Sequence, residues 1–115
     1  MRVERELLRG AGRVTVLRLL KQREMYGYEL VEALSRRTDG VLAMGQSTLY
    51  PLLYSLEAKG LLVGHWRTAP SGRRRKYYAV TAQGAAVLKA QQSQWRRLVA
   101  AMAGLGLVGP RRAEG

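Results

Sequence analysis

Along residues 5–22, Leu7, Leu8, Ala11, Val14, Leu17 and Leu20 recur at spacings of three and four. Arg5, Arg9, Arg13, Arg18 and Lys21 fall mostly between them. That period predicts an amphipathic helix. Gly10 and Gly12 weaken its first half by about 1 kcal/mol each relative to alanine. This half therefore needs tertiary or partner contacts to stay helical. Glu24-Met25-Tyr26-Gly27 reads as a connection. A second helix is predicted over residues 27–38, with Leu30, Val31 and Leu34 as its stripe, and Asp39-Gly40 ends it. Val41-Leu42-Ala43-Met44 reads as a brief extended stretch. Gly45-Gln46-Ser47-Thr48 offers capping chemistry for a third helix that runs to Lys59. Leu49, Leu52, Leu53 and Leu56 face inward on it, and Pro51 comes early, where a missing N–H costs least. Gly60 has the C′ position.

The period then changes. Residues 61–67 and 75–80 read as two strands joined by a turn over residues 68–72. Thr81 is a good N-cap for a long last helix to Ala103. Leu88, Trp95 and Met102 recur on it every seven residues, joined by Leu98 and Val99. Gly104, Gly106, Gly109 and Pro110 predict a disordered tail over residues 104–115. Three helices, a hairpin and a helix, in that order, predict a mainly α, α+β winged helix-turn-helix. It has a two-stranded wing and a long C-terminal dimerisation helix. Residues 1–80 form the DNA-binding unit, whose first helix also contributes to the dimer, and residues 81–103 form the dimerisation helix.

Composition narrows the chemistry. A chain of 115 residues fits one domain, and 47% hydrophobic residues suffice for a core. Phe is absent, so Tyr, Trp, Leu, Val and Ala must fill it. The absence of Cys excludes disulfides and thiolate metal sites. One His and scattered acids offer no metal cage. No Ser/His/Asp set or Gly-rich phosphate loop is present, so neither an enzyme nor a cofactor is expected. His65, beside Trp66, reads as a packed or hydrogen-bonded side chain. No apolar run approaches the roughly 20 residues of a membrane span. The N-terminus lacks the apolar segment of a signal peptide. The expectation is a cytoplasmic protein.

Charge supplies the partner. The net charge is +12, but residues 1–58 hold 9 cations and 7 acids, whereas residues 59–115 hold 11 cations and 1 acid. That asymmetry favours a polyanion. Gly72-Arg73-Arg74-Arg75-Lys76-Tyr77-Tyr78-Ala79-Val80-Thr81 joins a cationic turn to an aromatic strand, the pattern of a charged hairpin tip on a packed stem. Arg73, Arg74, Arg75 and Lys76 are the candidate contacts to DNA phosphates or the minor groove, which position a protein without specifying sequence. Gln46, Ser47, Thr48, Tyr50, Tyr54, Ser55 and Lys59 lie on the outward face of the third helix, the candidate for the major groove.

The stripe of Leu88, Trp95, Leu98, Val99 and Met102 has no partner in the remaining chain, and a second copy is the simplest one. Such a dimer would present two recognition helices about one DNA turn apart, matching a palindromic operator. Trp95 either fills the dimer core or stacks on planar hydrophobic ligands. Two other classes stay open. One is a ligand-sensing dimer with secondary DNA contact, and the other is an RNA-binding winged helix.

Several motifs recur in a known order. They are Tyr26-Gly27-Tyr28-Glu29-Leu30, Ser47-Thr48-Leu49-Tyr50-Pro51-Leu52-Leu53, Leu56-Glu57-Ala58-Lys59-Gly60-Leu61, Gly72 to Tyr78, and Thr81-Ala82-Gln83-Gly84. From about residue 5 to 103 this set resembles the PadR family of bacterial transcriptional regulators, in its compact subfamily with a single C-terminal helix. The resemblance implies a homodimeric winged-helix repressor of double-stranded DNA. In the multidrug-sensing members a tryptophan on the last helix lines a pore at the dimer interface. Trp95 lies where that residue would fall, which implies a planar hydrophobic effector.

Overall fold

The computed structural model describes residues 10–109. Its elements are α1 (Gly12–Gln22), β1 (Met25–Tyr26), α2 (Gly27–Arg37), α3 (Gln46–Ala58), β2 (Leu62–Thr68), β3 (Arg74–Val80) and α4 (Ala82–Gly104). Leu7 and Leu8 of the first predicted helix, and residues 110–115 of the predicted tail, lie outside the described residues. Gly10 and Ala11 form a turn, and the helix begins at Gly12. The architecture is the winged helix-turn-helix that the periodicities predict.

Three local readings change. Met25-Tyr26 is not a plain connection but a two-residue strand, paired antiparallel with Tyr78 and Tyr77. The sheet is therefore three-stranded, in the order β1-β3-β2. Residues 41–44 form no strand. Asp39 (φ 51°) and Gly40 (φ 79°) wind the chain left-handed after α2. The Thr38 hydroxyl then accepts from the Leu42 N–H at 3.1 Å, and Met44 drops into the core. Finally, α3 starts at Gln46 behind Gly45, with no side-chain cap. Ser47 and Thr48 are thus not capping residues, and Pro51 falls in the second turn, where the Ser47 carbonyl loses its in-helix donor.

The core gathers one stripe from each helix. Val16, Leu17 and Leu20 of α1 meet Leu30 and Leu34 of α2, Leu49, Leu53 and Leu56 of α3, and Leu88 of α4. Tyr78 of β3 joins them at 2% exposure, supplying the aromatic bulk that Phe would otherwise provide.

The joint between α3, β2 and α4 has no spare space. Gly60, at φ 77°, closes α3, with the Gly60 N–H on the Glu57 carbonyl and the Leu61 N–H on that of Leu56. This is the paired-bond cap that a left-handed glycine permits. The Thr81 hydroxyl donates to the Gly60 carbonyl at 2.7 Å and accepts from the Gly84 N–H at 3.0 Å. One side chain therefore caps α4 and ties it to the end of α3. Gly84 lies directly on the Leu61 carbonyl, and a β-carbon there would fall 2.1 Å from that oxygen.

Beyond Leu88, α4 leaves this body. Its 23 residues span roughly 34 Å, and its buried residues, Gly84 and Leu88, both fall in its first third. The molecule measures 55 × 29 × 24 Å accordingly. The helix ends in a formed cap rather than an unstructured tail at this point. Gly106 stands at φ 78°, and the Leu107 N–H reaches the Met102 carbonyl at 2.9 Å.

Gly84→Ala is expected to destabilise the fold by at least about 2 kcal/mol, because its β-carbon meets a backbone oxygen that cannot turn aside. Gly104→Ala, with nothing within 4 Å of its β-carbon, should be neutral or slightly stabilising. Thermal unfolding followed by circular dichroism checks both.

Candidate nucleic-acid interface

The N-terminal end of α3 is open. Gln46, Ser47 and Thr48 are exposed and unburdened by capping, while Leu49 and Leu53 hold the opposite face in the core. The first turn thus presents two hydroxyls, an amide and free backbone N–H groups at the positive end of the helix. Tyr50 is half-buried. Its ring lies against Gly27, where a β-carbon would overlap the phenol, so α2 sets the ring's orientation. The Tyr54 ring lies 6.2 Å from that of Tyr50 and is 57% exposed. Lys59, at the C-cap, is roughly 20 Å along the helix from Gln46. It therefore does not join the patch at the first turn.

The wing sorts its cations by the period of two. One face of the sheet carries Arg74, Lys76, Tyr78 and Val80 with Thr68, Trp66, Gly64 and Leu62 opposite them. The other carries Arg75 and Tyr77 with Arg67 and His65 opposite, and Tyr26 beside Tyr77. Tyr78 is buried, so the first face turns toward the helices. At the tip, the Ala69 N–H bonds the Arg73 carbonyl at 2.7 Å and Gly72 turns at φ 90°. Arg73 and Arg74 are exposed there.

The other two predicted contacts are engaged within the protein. Lys76 Nζ lies 2.8 Å from Glu57 Oε1 on the last turn of α3. The hydrogen bond to Glu57 holds the Lys76 ammonium above its ordinary value, against a smaller opposing effect of burial. Arg75 is half-buried, with its guanidinium 5.0 Å from the Tyr26 ring centre. Lys76 and Arg75 therefore differ from Arg73 and Arg74, because strand alternation places one against α3 and the other against β1.

Glu24 and Arg67, which the sequence did not single out, complete this region. Glu24 accepts from Arg67 at 3.0 Å and bonds His65 Nε2 at 2.9 Å. His65 is thus hydrogen-bonded, as expected. The Arg67 guanidinium covers the Tyr77 ring at 4.2 Å, and Tyr77 meets Tyr26 edge-on at 5.4 Å. Trp66 is 59% exposed, opposite Lys76 on the helix side of the wing. The Tyr77-Tyr78 pair signalled an aromatic stem. The partners on β1 gave no signal, because a two-residue strand has no period.

On α4, Leu88 is 3% exposed within the core of its own chain and is not part of an unpartnered face. The exposed face lies further out, with Leu98 and Val99 at 49% and 48% and Trp95 and Met102 half-buried. One turn before Trp95, Gln92 borders a groove of about 290 Å³, lined also by Val14, Arg18, Leu34 and Leu42. Among the described residues, no cluster of three acidic or histidine side chains is placed to hold a metal. No helix among them is long and apolar enough to cross a membrane.

Known proteins share this arrangement. The profile of the Transcriptional regulator PadR-like family matches residues 16–90. A transcriptional regulator of Mycobacterium tuberculosis, Rv3488, is 40% identical over 84 residues, covering 73% of this chain and 75% of that protein. The crystal structure of a PadR family transcriptional regulator from Eggerthella lenta superimposes with a TM-score of 0.75 at 36% identity, over 90% of this chain and 88% of that one. A PadR-like regulator from Bacillus cereus gives a TM-score of 0.79 at 26% identity, over 90% and 99% of the two chains.

The network around Lys76 predicts an alkaline limit. Burial raises Tyr78 above its ordinary 10.0, while the Lys76 pair raises Lys76 above its ordinary 10.5. In both cases the folded chain holds its proton more tightly than the unfolded one, so stability falls with rising pH. The Lys76 contribution is complete below 10.5 and is lost as pH climbs through the raised value. Melting temperatures between about pH 9 and about pH 12 should fall more steeply for the parent than for Lys76→Met or Tyr78→Phe. Parallel curves would contradict the assignment.

Proposed function

The chain belongs to the PadR-like family of transcriptional regulators, and we propose that it acts as a homodimeric repressor on a palindromic duplex operator in the cytoplasm. It is a regulator and not an enzyme. One observation carries the detailed reading. The uncharged, exposed patch Gln46-Ser47-Thr48 and the exposed cations Arg73 and Arg74 belong to α3 and the wing, two elements that pack against each other. Base edges suit the first, and phosphates suit the second. Tyr50 and Tyr54 extend the patch along α3, and the excess of positive charge after residue 59 draws the duplex in. The apolar face of exposed Leu98 and Val99 with half-buried Met102 supports pairing with a second copy, with Trp95 at its edge.

A small-molecule effector is the second reading, supported by the half-buried Trp95 and the groove one turn away. An apolar effector that alters the angle between two α4 helices would change the separation of the recognition helices, which is how it would release the operator.

A duplex bearing the palindrome of the protein's own promoter should bind far more tightly than random duplex across a salt series. Equal affinity would overturn the specific reading, and tighter binding to an RNA duplex would favour the RNA alternative. Arg73→Ala and Arg74→Ala should weaken both DNA duplexes alike and lower the salt slope by about 0.9 per cation. Gln46→Ala or Thr48→Ala should instead change base preference by about 1–3 kcal/mol. Leu98→Asp with Val99→Asp should yield a monomer by sedimentation and abolish operator binding.

The effector reading is checked by titrating planar hydrophobic compounds against tryptophan emission. Saturable quenching that disappears in Trp95→Ala is expected, with concurrent loss of operator binding. Quenching that persists in that variant would come from Trp66 and would count against the site.

A further inference from the structure

We propose that Lys76 is a positioning residue, a strut from β3 to Glu57 that sets the wing's angle to α3, rather than a phosphate contact; its effect on binding rests on the DNA-binding reading above. Three observations converge on it. The first is the path of the side chain. Lys76 faces the helices and crosses Gly64, its diagonal neighbour on β2. A β-carbon on Gly64 would collide with Lys76 Cε and stand 3.1 Å from Glu57 Oε2. The missing side chain at Gly64 is the channel through which the lysine stem passes.

The second is the destination. Lys76 Nζ meets Glu57 Oε1 at 2.8 Å, with only 26% and 31% of the two side chains exposed. An ion pair this sheltered is screened less than one at the open surface. The third is the setting of the ammonium. It stands 5.3 Å from the ring centre of Tyr78, which is fixed in the core, and 6.0 Å from that of Tyr54, which is exposed on α3. One cation therefore touches the wing's anchor, the last turn of the recognition helix and an aromatic on that helix's open face.

Among the described residues, the strut is the one ion pair that joins β3 to α3. Arg73 and Arg74 begin two residues beyond Lys76, whereas Gln46 lies at the far end of α3. For both sets to meet one duplex together, the hairpin must keep its angle to the helix. A wing fixed before binding forfeits less entropy on complex formation.

The two roles for Lys76 predict opposite signs at Glu57. If Lys76 holds the wing, Glu57→Gln and Lys76→Met should each weaken binding to the promoter palindrome by about five- to tenfold, and the double variant should be no weaker than either single one. Their salt slopes should match the parent's. If Lys76 instead contacts a phosphate, Glu57→Gln frees a cation and binding tightens, while Lys76→Met lowers the slope by about 0.9. That result would overturn the strut. Hydrogen exchange in the free protein decides the point without DNA. Amides of residues 67–74 should exchange about tenfold faster in both variants, with melting transitions that remain cooperative. Unchanged exchange at the wing would also overturn the strut. Failure of the parent to bind the palindrome would remove the operator reading alone. Lys76→Met keeps the stem over Gly64 and Glu57→Gln is nearly isosteric, so the loss of fold in one leaves the other to be read.

Discussion

The arrangement of the wing and the last helix depends on a contact with no room for a side chain. Gly84, in the first turn of α4, lies on the carbonyl of Leu61 as the chain leaves α3 for β2. Thr81 reinforces that joint by bonding the Gly60 carbonyl and the Gly84 N–H together. Gly60 supplies the left-handed turn that brings the carbonyl there. Three small residues thus fix the ends of α3, β2 and α4 in one place. With the joint set, β3 must return beside β2, Tyr78 must enter the core, and α4 must leave the body in a single direction.

From that constraint the sheet's period of two does the sorting. Four adjacent cations look equivalent in a linear chain. Once Tyr78 is committed inward, Lys76 must also face the helices, and Arg75 must face Tyr26. Of the four, only Arg73 and Arg74, near the tip, keep their charge toward solvent. Gly64 then admits the lysine stem, and Glu57 receives it. The outer face is balanced separately. Arg67 and Arg75 are cross-strand neighbours of like charge, accommodated by Glu24 and by the rings of Tyr77 and Tyr26.

The same economy of burial explains α4. Its first third completes the core through Gly84 and Leu88, after which the helix outruns the globular body. Leu98 and Val99 stay exposed beyond that point, and Leu105 and Leu107 follow at 77% and 65%. Repetition every seven residues placed Leu88, Trp95 and Met102 on one stripe. The stripe is physically divided, because only its first member reaches the domain's own core.

Local patterns were sufficient for the order of elements, their approximate ends and the class of fold, since helical and strand periods are set by backbone geometry alone. The cap at Thr81, the glycine after α3 and the charge excess of the second half were equally legible. Three kinds of feature were not. β1 is too short to carry a period. The start of α3 behind Gly45 has no side-chain cap, so the hydroxyls of Ser47 and Thr48 did not mark it. The division of the wing cations into two exposed and two engaged groups depends on Glu57 and Tyr26, which are 19 and 49 residues away along the chain from Lys76 and Arg75. Sequence by itself determined that this chain forms a basic winged helix. Tertiary structure alone decided which charges remain free for a partner, because a charge is committed by what packs beside it, and those neighbours are remote in sequence.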